Sequence, residues 1–76
     1  MHEHSVHSRA LSPREAQVMQ LMAEGMTNHQ IARHLSVTVH AVKFHLASIY
    51  RKLGVHNRTE AAVAFLEASG ALRSPR

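Results

Sequence analysis

Residues 41–53 have the sequence AVKFHLASIYRKL, whose apolar side chains do not all fit on one side of a helix. An α-helix turns about 100° per residue, so residues at i, i+4, i+7 and i+11 form one stripe, the pattern of a buried helix face. That stripe consists of Val42, Leu46, Ile49 and Leu53. A second stripe on roughly the opposite side consists of His40, Phe44, Ala47 and Arg51. The first stripe predicts contact with the core. The second stripe should face water, so the presence of a large apolar side chain there, Phe44, needs an explanation.

The size and composition of the chain restrict the classes of function open to it. Seventy-six residues make one small domain, and such a domain buries only about 60% of its unfolded surface, which leaves little room for a deep catalytic cleft. There are no cysteines. The first residues lack the apolar stretch of a signal peptide and the apolar runs are too short to span a membrane, so we expect neither feature. No set of nucleophile, base and orienting group is evident. We therefore expect neither an enzyme nor a cofactor, and no membrane partner.

The charges are distributed unevenly along the sequence. The net charge is +4, and all five acidic residues are glutamates. No acidic residue lies between Glu24 and Glu60, an interval that contains five of the eight histidines. The cations in that interval are Arg33, Lys43, Arg51, Lys52 and Arg58. A solvated surface normally mixes both signs, so this segment favours an anionic partner, although chance clustering in a short chain is the alternative.

Start and stop signals predict four helices. Ser12, Pro13 and Glu15 form a capping box with proline at the first helical position. Thr27 with Gln30, Thr38, and Asn57 with Glu60 mark three further starts, and glycines follow three of the helices. The predicted helices span about 13–24, 28–35, 39–53 and 58–69, with no strand. The fold class is therefore all-α, a compact four-helix domain.

Residues 11–72 are predicted to form this domain. Residues 1–10 are predicted to be a flexible arm or linker, and residues 73–76 a frayed tail. His2, His4 and His7 could hold a metal only loosely, because no second cluster of ligands has a defined spacing. We expect no metal site.

A short helix, a turn of about three residues and a longer helix with a polar outward stripe form the pattern of a helix-turn-helix. In that motif the second helix enters the major groove and the first crosses the backbone. The groove is about 12 Å wide and admits one helix. The pattern therefore favours a duplex-DNA-binding domain.

Five sequence motifs also carry a resemblance to a known family. They are LSPRE (11–15), TNHQIA (27–32), VKFHL (42–46), IYRKLGV (49–55) and RTEA (58–61). In this order and spacing, residues 11–72 resemble the LuxR-type (GerE-like) DNA-binding domain of bacterial transcription regulators. The chain departs from the family pattern at His29-Gln30, where Lys-Glu is common, and at Ala41, where Thr is common. These departures affect individual phosphate contacts and not the fold.

The resemblance implies a helix-turn-helix at 27–46, a third helix that contacts DNA bases and a fourth helix that supports a dimer. It also implies the output domain of a response regulator or a stand-alone regulator, located in the bacterial cytoplasm and on the nucleoid when bound. The expected partners are double-stranded DNA with an inverted-repeat operator, a second copy of the chain in a weak homodimer, and RNA polymerase.

Individual residues are assigned by combining the helical stripes with the resemblance. The predicted base-contacting residues are His40, Lys43, Phe44, Ala47 and Arg51. The predicted backbone-phosphate contacts are Thr27, Asn28, Thr38, His45 and Lys52. The predicted dimer interface consists of Ala61, Ala64, Phe65 and Ala68, because the fourth helix is apolar nearly all round.

Alternatives remain open at several of these positions. Phe44 could pack against the first helix, capping alone explains both threonines, and His45 could be a satisfied polar residue at the rim of the core. At the level of function, the alternatives are a protein-interaction module and a sigma-factor region-four-like domain that docks on the transcription machinery. The acid-free segment favours DNA over a purely protein partner.

Overall fold

The computed structural model describes residues 10–70, apart from the side chain of Ser69, and shows an all-α domain. Its helices are α1 (Pro13–Ala23), α2 (Asn28–Leu35), α3 (Val39–Leu53) and α4 (Arg58–Ser69). The prediction of a four-helix domain is confirmed, and residues 10–70 contain no strand. α1 ends one residue earlier than predicted. The predicted arm (apart from residue 10), the predicted tail and the histidines His2, His4 and His7 lie outside the described residues.

Each helix begins at the side chain that the sequence indicated. Ser12 Oγ accepts a hydrogen bond from the Glu15 backbone N–H at 3.1 Å, and the Glu15 carboxylate accepts one from the Ser12 N–H at 2.9 Å. Thr27 and Gln30 make the same reciprocal pair at 3.1 and 2.8 Å. The remaining caps are Thr38, which accepts from Ala41 N–H, and Asn57, which accepts from Glu60 N–H, both at 2.9 Å. These bonds satisfy N–H groups that would otherwise lack partners at the helix starts.

The three interhelical turns share one geometry. In each turn a residue with positive φ is followed by an apolar residue whose N–H bonds a carbonyl five positions earlier, as in a Schellman motif. The positive-φ residues are Gly25 (96°), Ser36 (58°) and Gly54 (71°). The apolar residues that follow are Met26, Val37 and Val55, all partly buried against the core. In the turn between α2 and α3 this residue is Ser36 and not a glycine, although a left-handed conformation costs an L-residue about 1–2 kcal/mol.

Helix α3 is central to the packing, since it contacts α1, α2 and α4. Its inner stripe forms part of the core: Val42 and Ile49 are fully buried, Leu46 is 5% exposed, and Leu53 is partly buried. The other fully buried large side chains are Val18, Met19 and Ile31. The core therefore holds α3 by one face and leaves the opposite face outward.

A buried charge also joins α1 to α3. Glu15 is 5% exposed, and its carboxylate accepts hydrogen bonds from Ser48 Oγ at 2.6 Å and Lys52 Nζ at 2.8 Å. Burial alone would raise the pKa of Glu15. The hydrogen bonds from Lys52, Ser48 and the Ser12 N–H, together with the Lys52 charge, lower that pKa to about 2. The sequence indicated the cap at Glu15 but not this second role.

Candidate nucleic-acid interface

The outward stripe of α3 is an exposed, convex surface. All five residues predicted to contact bases are exposed: His40, Lys43, Phe44, Ala47 and Arg51. Phe44 is 69% exposed, so the alternative that it packs against the first helix is wrong. Its ring meets the His45 ring edge-on, with centroids 6.1 Å apart. The position of this phenylalanine is therefore not explained by the core of the domain.

The starts of α2 and α3 lie beside this stripe, since Thr27, Asn28 and His29 line the same surface depression as Val39 and Lys43. Thr27 and Thr38 are exposed, and each uses its hydroxyl oxygen as a cap acceptor. A hydroxyl that accepts one hydrogen bond can still donate its own proton, so capping does not prevent either threonine from contacting a phosphate. Their capping role is observed, and their phosphate contact stays a prediction.

Asn28, at the first position of α2, is half-buried and engaged with α4. Its Oδ1 accepts a hydrogen bond from Arg58 Nη1 at 3.3 Å, while Arg58 Nη2 donates to the Met26 carbonyl. Arg58 was not among the predicted site residues. One signal could have identified it, because a cation in the first turn of a helix is disfavoured by the helix dipole and needs another partner.

The structure places Lys52 differently from the prediction of a phosphate contact. Its ammonium group forms an ion pair with Glu15 at 2.8 Å and a longer contact of 3.4 Å with the Ala10 carbonyl. A charge already neutralised by a buried carboxylate attracts a phosphate weakly, so we remove Lys52 from the interface. His45 is half-buried beside Phe44, and its phosphate contact stays a prediction.

The remaining cations of the stripe have no such partner. Neither Lys43 nor Arg51 has a carboxylate partner among residues 10–70, where the ion pairs are Lys52–Glu15 and His56–Glu60. The outer face of α3 therefore presents an exposed aromatic ring together with two uncompensated positive charges, one next to Phe44 in the sequence and one about two helical turns further on. This combination suits a surface that carries anions at its edges and apolar groups between them, as the major groove does.

The burial of residues on α4 changes which of them can belong to the proposed dimer face. Ala61 is fully buried, so its side chain has no surface to offer a second copy, and we remove it from the interface. Ala64 and Phe65 are half-buried, and Phe65 also packs against the core. Ala68 is exposed, and so is Val63, at 42%. Val63 was not among the predicted interface residues.

Residues 10–70 contain no group of three or more histidine, aspartate or glutamate side chains that could hold a metal ion. Within the same residues, every helix is too short or too polar to cross a membrane.

The fold and the exposed face of α3 together define a helix-turn-helix domain. Comparison with known proteins agrees with this class. The family of bacterial regulatory proteins designated luxR (GerE) matches residues 9–65, which is most of the chain. The chain belongs to the luxR family of bacterial regulatory proteins, and this membership supports DNA-binding transcription regulation.

Three relatives illustrate the match. The chain is 41% identical over 59 residues to the two-component response regulator PprB of Pseudomonas aeruginosa, covering 78% of this chain and 22% of PprB. It is 41% identical over 61 residues to the transcriptional regulatory protein LiaR of Bacillus subtilis, covering 80% and 29%. It is 39% identical over 61 residues to the nitrate/nitrite response regulator protein NarP of Escherichia coli, covering 80% and 28%. The chain thus spans less than a third of the length of each relative.

Proposed function

We propose that this chain binds duplex DNA in a sequence-specific manner as the DNA-binding domain of a bacterial transcription regulator. Helix α3 lies in the major groove with its outer stripe toward the bases, and the starts of α2 and α3 face the flanking phosphates. The observation that carries the proposal is the pairing of an exposed Phe44 with uncompensated cations on the face of α3 that the core leaves outward.

Each residue of the stripe has a role that its chemistry supports. Lys43 donates to a guanine edge or a phosphate, and Arg51, two turns further on, donates to the backbone. Phe44 meets thymine methyl groups, and the small side chain of Ala47 permits close approach of the helix. His40 lies at the start of the stripe, within reach of base edges. Thr27, Asn28, Thr38 and His45 complete the proposed phosphate contacts.

The second element of the proposal is a weak homodimer through α4. The interface consists of Val63, Ala64, Phe65 and Ala68, apolar side chains with exposed or half-buried surface. A two-fold dimer of helix-turn-helix domains binds inverted half-sites about one helical turn apart. Contact between the DNA-bound regulator and RNA polymerase is a further expectation of this proposal, which binding of purified polymerase to the domain–operator complex would test.

Selection of bound sites from a random pool of duplexes tests sequence-specific binding. We expect enrichment of a motif with two inverted half-sites. Titration of the selected duplex in increasing salt should give a log–log slope of about −0.9 per phosphate contacted, because bound cations release condensed counterions. Failure to enrich any motif, or a slope near zero, would reject the proposal.

Sedimentation at high protein concentration tests the dimer separately. Val63→Glu places a charge in the proposed interface and should give a monomer, whereas Glu60→Gln changes an exposed charge on the same helix and should leave self-association unchanged. A wild-type chain that is monomeric at millimolar concentration, and that also occupies a palindromic site as a single copy, would reject the dimer but not DNA binding.

A further inference from the structure

A shallow depression lies beside the outer stripe, where the starts of α2, α3 and α4 come together. It is lined by Thr27, Asn28 and His29 from the start of α2, by Val39 and Lys43 from α3, and by Arg58 from α4. No acidic residue lines it. The depression therefore brings cations from two separate helices to one concave wall.

Arg58 is held at this wall by neutral partners. Its guanidinium donates to the Asn28 side-chain oxygen and to the Met26 carbonyl, and it has no carboxylate partner among residues 10–70. A guanidinium has five N–H donors, so donors remain for another acceptor. These bonds fix the orientation of Arg58 but leave its charge uncompensated.

Lys43 presents a second uncompensated charge at the same wall. Two like charges that share one concavity repel each other, and the repulsion is relieved when an anion lies between them. Arg58 also lies in the first turn of α4, where the helix dipole disfavours a cation. The capping bonds of Thr27 use only two of the N–H groups at the start of α2, and the side chains of Arg58 and Lys43 supply the net charge that attracts an anion.

We infer that this depression binds a single phosphate of the DNA backbone, with Arg58 and Lys43 as its cationic ligands. The inference rests on the proposed function and extends it, because it brings α4 into the DNA interface through a residue outside the helix-turn-helix. Lys43 belongs to both the depression and the edge of the outer stripe. The bound phosphate therefore flanks the groove that α3 occupies, and Arg58 fixes the distance between α4 and the DNA backbone.

Salt titration of the selected duplex separates a phosphate contact from a purely structural role. Arg58→Gln removes the charge, Arg58→Lys keeps it, and Arg14→Gln removes the same charge from α1, which lines neither the depression nor the outer stripe. We expect Arg58→Gln to reduce the magnitude of the log–log slope by about 0.9, whereas Arg58→Lys and Arg14→Gln keep the wild-type slope. Circular dichroism verifies the fold of each variant.

A wild-type slope for Arg58→Gln would overturn the inference, as would an equal reduction for Arg14→Gln. If the wild-type chain binds no duplex at all, the proposed function itself fails. If Arg58→Gln does not fold, the phosphate contact is tested from the DNA side, with duplexes in which a single phosphate is replaced by a neutral methylphosphonate. At one position this replacement should weaken duplex binding by the wild-type chain more than it weakens binding by Lys43→Gln. If no position in the duplex shows this difference, the inference is overturned.

Discussion

The inner face of α3 packs in the core of the domain, whereas the outer face of the same helix is exposed. Lys43 and Lys52 show the difference most directly, since one lies exposed beside Phe44 with no carboxylate partner among the described residues and the other is bound to the buried Glu15. Apolar residues differ in the same way, because Leu46 is buried while Phe44 is 69% exposed. Residue type alone therefore does not assign a side chain to folding or to binding. The position on the helix and the partner on the neighbouring helix decide it.

The largest expected effect on stability is at the inner face. Leu46→Ala should reduce the free energy of unfolding by about 2–5 kcal/mol, because a truncated core leucine leaves a cavity. A small domain has a thin core and little stability to lose, so this variant should melt far below the wild type. Denaturant unfolding followed by circular dichroism measures the difference, and a loss below about 1 kcal/mol would show that the inner stripe is not core.

The two lysines of α3 should differ in their contribution to stability. Lys52→Met leaves the Glu15 carboxylate buried without its ion-pair partner and should cost about 3 kcal/mol, the lower end for a broken buried pair because Lys52 itself is partly exposed. Lys43→Met should change stability by less than about 0.5 kcal/mol, as surface substitutions do. The same denaturation assay measures both. Similar losses in the two variants would contradict the division between the faces.

Sequence patterns predicted the local features of the fold better than the contacts between residues that are distant in the sequence. Periodicity placed Val42, Leu46 and Ile49 inward, and the caps at Ser12, Thr27, Thr38 and Asn57 were correct because capping depends on residues three positions apart. The partnership of Glu15 with Lys52 joins residues 37 positions apart, and no local spacing encodes it. The depression at Arg58 likewise exists only after α2, α3 and α4 have packed together.

In α4, too, packing and not composition decides which residues remain exposed. Its composition is apolar nearly all round, and from the sequence alone Ala61 and Ala64 were equivalent candidates for a dimer interface. Packing distinguishes them, since Ala61 is fully buried against the core and Ala64 keeps part of its surface. Which residues remain available to a partner is decided by the angle at which α4 crosses the domain, and this angle is a tertiary property.

Acid should weaken the connection between α1 and the inner side of α3. Because the folded-state pKa of Glu15 is lowered from 4.5 to about 2, its ionised form contributes stability above pH 4.5, and that contribution is lost as the pH falls from about 4.5 toward 2. The contribution at neutral pH is at most about 3 kcal/mol. Urea unfolding of the wild type and of Glu15→Gln at several pH values measures it. We expect the difference between the two proteins to shrink across this interval, and a constant difference would contradict the assignment.

The smallest expected effect on stability is at Phe44, where the effect on binding should be large. Phe44→Ala should change the free energy of unfolding by less than about 1 kcal/mol, since the ring is mostly exposed and contributes little to the core. Specific binding to a selected operator should weaken by about 1–3 kcal/mol, the usual cost of losing the contact to one base pair, whereas binding to an unrelated duplex through Lys43 and Arg51 should persist. Phe44→Leu, which keeps an apolar group, should retain part of the specificity.

Replacing the contacted thymine by uracil in the operator tests the same contact from the DNA side. This replacement should weaken operator binding by the wild-type chain and leave binding by Phe44→Ala unchanged, because only the wild type has a ring to meet the methyl group. If Phe44→Ala destabilises the domain as much as Leu46→Ala does, the ring belongs to the core in solution and the two faces of α3 are not separate in function.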